Sequence, residues 1–273
     1  MSAVRRLARM ESEADRVFLE TWLEAQTGVT LLSIEGPLFL PSHMQIDAAR
    51  RLSSVFKAFS PTLLVTLRDP EHFFRSLYQE VVKGDLYTHP AEYLGAANDS
   101  IHFQYPPWAA EDLSLDRLVQ PYLDSFDKVL LVKLSALGSP DWLEVYLDTK
   151  FSMPLRHKLE KLAGEVQNRG LSSLDVHRFE KINRFVKSLL RTKNESRHGW
   201  MAWSQAPFGS KQTVTRTLVA LKYRFATAIA AREIIHSPFN LPSDVATKIK
   251  SRQESGPVNR FLATNEDFHW VKQ

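Results

Sequence analysis

Three short apolar runs constrain the fold of this chain more than any other feature: residues 30–35 (TLLSIE), 62–67 (TLLVTL) and 128–134 (KVLLVKL). None alternates cleanly between polar and apolar side chains. Runs of that kind suit strands covered on both faces, the environment of a parallel sheet whose crossovers are helices. Helical spacing of apolar residues separates them, at 11–26 and at 45–58. Beyond Leu134 the pattern is mostly helical to about residue 235, with clear periodicity over 173–190 and 213–235. The tail 242–263 reads as one more helical region, interrupted at Gly256-Pro257. The expectation is an α/β fold with a parallel sheet flanked by helices. It forms one domain over 1–273, with an α/β core in 1–139 and a helical part in 140–273.

Composition removes several chemistries. The chain has no cysteine, so disulfides, thiolate metal sites and cysteine nucleophiles are excluded together. The basic start, MSAVRRLARM, is not followed by an apolar stretch, and no run reaches the ~18 apolar residues of a membrane span. No integral membrane segment is expected, and a cytoplasmic location is. Lysine and arginine number 35 against 31 acidic residues, a mild excess that suits an anionic ligand. The charges are scattered rather than gathered in a stripe, so a nucleic-acid partner is not expected. None of His43, His72 and His102 has a paired histidine or carboxylate at metal-ligand spacing, and no metal is expected.

The second apolar run leads straight into a helix, with an arginine at the join. Leu63 to Leu67 read as the strand, Asp69 as the helix cap and Pro70 as the first helical residue, where its missing N–H costs nothing. The helix runs to about Lys83. Phe73, Phe74, Leu77 and Val81 share an apolar face, while His72, Ser76, Gln79 and Lys83 share another. Arg68 therefore stands at the carboxyl end of a strand, where open α/β sheets bind ligands. Spacing alone leaves two readings open. Arg68 and Ser76 form a phosphate clamp, or the arginine pairs with its neighbour and the serine is solvated.

The order Arg68, Pro70, Ser76, Tyr78 resembles the 3′-phosphate-binding motif of sulfotransferases that use 3′-phosphoadenosine 5′-phosphosulfate (PAPS). Residues 31–36 (LLSIEG) are similar to the strand ending in Ser-x-Glu of the bacterial carbohydrate-type branch. The stretch 76–94 resembles that branch's Ser-x-Tyr helix and its continuation, 118–137 its later strand with the lead-in, and 168–184 an Asn-Arg-x-x-Ser element followed by Ile-Asn-Arg. The resemblance covers roughly residues 28 to 190 and implies a P-loop-NTPase-like sheet. It implies that Arg68 and Ser76 hold the cofactor's 3′-phosphate and that the acceptor is a hydroxyl of a glycan or glycolipid. It also suggests Glu35, at the Ser-x-Glu position, as the base that takes the acceptor's proton. Glu35 otherwise caps the turn before Gly36-Pro37. Arg169 and Lys83 would add positive charge around the cofactor, and His43, His72 and His102 are weaker candidates for the base.

Two departures from the family stand out. Such enzymes open with a strand and a loop rich in glycine, lysine and threonine that cradles the 5′-phosphosulfate, and residues 1–27 contain none. Either the sequence enters the fold after that loop, or the chain is a catalytically inactive, nucleotide-binding or scaffolding relative. Phe73 stands where many members carry a second arginine, and Arg75 is the nearest substitute, at a different helical angle. The Gly-Ser-Lys-x-Thr order in 207–218 imitates a phosphate loop, but the required glycine is replaced by Ser204. A cap on the following helix explains it better. Trp200, Trp203 and Phe208 either stack on sugar rings or fill the helical layer.

Overall fold

A computed structural model describes residues 13–26, 42–95, 107–146, 150, 152–164, 171–191, 238–253 and 255–272. In chain order its elements are α1 (Glu13–Glu24), α2 (Ser42–Phe56), β1 (Thr62–Leu67), α3 (Pro70–Gly84), α4 (Pro90–Tyr93), α5 (Leu115–Ser125), β2 (Lys128–Lys133), α6 (Asp141–Tyr146), α7 (Met153–Gly164), α8 (Ser173–Arg191), α9 (Ser243–Ser251), α10 (Pro257–Ala263) and β3 (Phe268–Lys272). The fold is α/β. The chain divides into two compact units, each assembled from separated segments: Met1–Asp69, Ser114–Glu165 and Gln253–Gln273 in the first, Pro70–Leu113 and Val166–Arg252 in the second.

The first unit is built on the sheet. β1 and β2 pair in parallel, in register from Thr62 with Lys128 to Leu67 with Lys133. The interior of β2, Val129 to Val132, is buried throughout, as a run without alternation requires. Each such side chain taken from water contributes about 2 kcal/mol before the cost of ordering it. The sheet is not purely parallel, however. β3, from the end of the chain, pairs antiparallel with the other edge of β2 and makes the three strands a mixed sheet. Its sequence, FHWVK, mixes aromatic and charged residues and lacks the long apolar run of its neighbours; pairing with β2 makes it a strand. The expected strand at 30–35 and the helix at 213–235 lie outside the described residues.

Around this sheet, α2 packs on α5, and Ala48, Ala49, Leu118 and Val119 are completely or almost completely buried. α10 packs against α5 and β2, and a carboxylate fixes how it starts. Asp116 accepts from the backbone N–H groups of Val258 at 2.7 Å and Asn259 at 3.2 Å, which satisfies two of the orphan donors of α10. The residue before the helix must be glycine because a Cβ at Gly256 would lie 2.1 Å from Asp116 Oδ1.

The second unit is organised around α3. Pro70 opens it, and Phe74, Leu77, Tyr78, Val81 and Val82 are buried. α8 and α9 pack on it. From α8, the fully buried Asn183 donates its side-chain amide to the carbonyls of Val82 at 3.2 Å and Tyr87 at 2.6 Å. It thereby meets one of the carbonyls that the carboxyl end of α3 leaves without a donor, and a second in the turn just beyond it.

Candidate functional site

The carboxyl ends of the parallel pair carry two cations. Arg68 follows β1 directly and is partly exposed, and Lys133, the last residue of β2, is the register partner of Leu67. Lys133 is committed to its own unit. Its ammonium donates to the Thr264 carbonyl and lies 5.4 Å from the centre of the Phe261 ring, while its N–H donates to the Asp267 carbonyl at 2.9 Å. Lys133 therefore tethers the chain between α10 and β3. The motif's arginine stands where the sequence reading puts it, at a strand end.

In the second unit Ser76 occupies the second turn of α3 and is partly buried, and His72 is exposed. Tyr78, the last residue of the motif, is fully buried and donates its hydroxyl to Glu180 Oε1 of α8 at 2.8 Å. Burial, reinforced by Glu180, holds its phenol far above the ordinary tyrosine range. It is a structural member of the motif. Glu180 is itself shifted upward, by burial first, against the opposing pull of Tyr78, His89, His177 and Arg184.

The polar face expected on α3 is only partly such a face. Gln79 is buried and donates to the Leu171 carbonyl at 2.8 Å, because that carbonyl, 92 residues away in the chain, has its partner there. Lys83 pairs with Glu80 one turn back, so its charge is already matched within the helix. Arg75 donates to Oδ1 of Asn240 at 3.2 Å. Neither Asn240 nor Lys133 was singled out by the sequence, since their partners are distant in the chain. Glu35, Arg169, His102, Trp200, Trp203, Phe208 and the segment 207–218 lie outside the described residues.

A cavity of about 280 Å³ opens in the first unit at the opposite, amino ends of β1 and β2, lined by Ser53, Lys57, Ser60, Asp127 and Lys128 among others. The carboxyl ends of α2 and α5 lie beside it, and their carbonyl dipoles disfavour an anion. Lys57, Asp127 and Lys128 line it as well, so its charges are mixed. Among the described residues no cluster of three or more His, Cys, Asp or Glu could hold a metal, and no helix is long and apolar enough to cross a membrane. Compared with protein-family models, curated proteins and solved structures, the chain matches none. Its function must be argued from its own residues.

Proposed function

We propose that the chain is a PAPS-dependent sulfotransferase with a P-loop-NTPase-like core, acting on a hydroxyl of a carbohydrate or glycolipid. One arrangement carries the reading. Arg68 directly follows the strand that runs parallel with β2, Pro70 opens the next helix, and Ser76 falls in that helix's second turn. This is the order that the resemblance to the 3′-phosphate motif requires. A guanidinium offers a forked set of donors to a doubly charged ribose phosphate, and a serine hydroxyl adds one more.

In the reaction the acceptor oxygen attacks the sulfur of PAPS, the bond from sulfur to the 5′-phosphate oxygen breaks, and adenosine 3′,5′-bisphosphate leaves with the electron pair. Glu35 takes the acceptor's proton, and cations such as Arg169 offset the charge that builds on the departing oxygen. A second reading, a nucleotide-binding relative without catalysis, is favoured by Phe73, which stands where many members of the resembled family carry a second arginine.

Titration calorimetry with adenosine 3′,5′-bisphosphate tests the reading. Wild type should give heat of binding, and Arg68→Ala should lose most of it. A silent wild type removes the nucleotide claim, and equal binding by both proteins removes Arg68 from the site. Binding without sulfuryl transfer from PAPS to any glycan acceptor selects the second reading.

A further inference from the structure

Arg75 precedes Ser76 on α3, and its guanidinium is held by a neutral group. The Nη1 donates to Asn240 Oδ1 at 3.2 Å, and among the described residues Arg75 has no carboxylate partner and no other acceptor. An amide orients an arginine without cancelling its charge, which leaves the remaining N–H donors for another acceptor. Asn240 is itself firmly mounted. Its neighbours Phe239 and Leu241 are both buried, and the Phe239 ring packs against Tyr78 with centroids 5.9 Å apart. The carbonyl of Pro238 accepts from the Ser173 hydroxyl at 3.1 Å. These contacts already tie the segment to α3 and α8, so the Arg75–Asn240 bond is not needed to dock it. What the bond adds is a guanidinium held by a neutral partner on the helix that carries Ser76.

We propose that Asn240 is a positioning residue that holds Arg75, charged and oriented, to receive an anionic ester of the donor nucleotide beside Ser76. The identity of the ligand rests on the sulfotransferase reading; the role of Asn240 as a mount for an anion-binding cation does not. Arg75 then takes up the duty of the second arginine that Phe73 cannot perform.

The decisive variant is Asn240→Asp. It preserves the acceptor for Arg75 but pairs the guanidinium with a carboxylate, so a structural tie survives while an anion site is neutralised. Calorimetry at two salt concentrations, with adenosine 3′,5′-bisphosphate and separately with pyrophosphate, should show about tenfold weaker binding for Asn240→Asp and a flatter salt dependence. Its thermal midpoint should be unchanged or higher. Arg75→Ala should weaken binding at least as much. Wild-type affinity in Asn240→Asp or Arg75→Ala overturns the inference. If wild type binds pyrophosphate but not the nucleotide, the sulfotransferase reading falls and the Asp variant still decides the role of Asn240. If wild type binds neither, both readings fall.

Discussion

Tyr78 and Glu180 join α3 to α8 through a hydrogen bond of 2.8 Å whose donor is fully buried. Tyr78→Phe keeps the ring and removes the donor. Glu180, which desolvation already disfavours as an anion, then loses its hydroxyl partner. Stability should fall by about 1–2 kcal/mol, read as a lower urea midpoint with an unchanged slope. Nucleotide affinity should stay within about twofold, because the phenol is too deeply buried to meet a ligand. A large loss of binding with unchanged stability would contradict this assignment.

Glu180 and Glu92 belong to one unit and titrate with opposite signs. The folded state holds the proton of Glu180 more tightly than the unfolded chain does, since burial raises its pKa. Its contribution to stability is therefore complete below the unfolded pKa and is lost as pH rises through the folded one. At Glu92 burial also pushes upward, but hydrogen bonds from Lys187 and Thr88 outweigh it and leave the carboxyl below its ordinary value. That contribution is present above the unfolded pKa and is lost as pH falls through the folded one. As pH rises from the ordinary carboxylate range, about 4, through the raised folded-state pKa of Glu180, wild type should lose stability relative to Glu180→Gln. Urea midpoints at several pH values check this, and a difference that does not vary with pH refutes it.

Gly256→Ala should be costly for its size. The added methyl would lie 2.1 Å from Asp116 Oδ1, the atom that accepts from Val258 N–H, so either α10 shifts or its cap is lost. A loss of about 2 kcal/mol or more is expected, against less than about 1 kcal/mol for an alanine at an unconstrained glycine. Asp116→Ala in the same background separates the two causes: with the carboxylate gone, the glycine substitution should cost little more.

The roles proposed for Glu35 and Ser76 should separate kinetically. Glu35→Gln is expected to leave binding of adenosine 3′,5′-bisphosphate within about twofold and to lower kcat by about 10²-fold or more. Ser76→Ala should weaken nucleotide binding by about tenfold. Equal turnover by wild type and Glu35→Gln would move the base elsewhere.

Periodicity was a sound guide wherever an element's character lies in adjacent residues. The runs at 62–67 and 128–134 became β1 and β2, with only the last residue of the second left outside the strand, and α3 begins at the proline read as its first residue. The helix at 173–190 and the break at Gly256-Pro257 in the tail also stand where the spacing puts them. On α3, Phe73, placed on the apolar face, is only partly buried, while Gln79 from the polar face is buried. The expected polar row failed because a helix face is defined by what packs on it, and Leu171 brings an acceptor to Gln79.

The amino-acid order by itself determined the two parallel strands, the helix that follows Arg68 and the position of that arginine at a strand end, because backbone preference and apolar spacing act over a few residues. Tertiary structure alone decided that β3 closes the sheet in the antiparallel sense, that Asp116 caps α10, that Tyr78 is locked to Glu180 and that Asn240 holds Arg75. Each joins groups more than 100 residues apart, and no local pattern encodes which distant donor will meet which acceptor once water has been excluded between them.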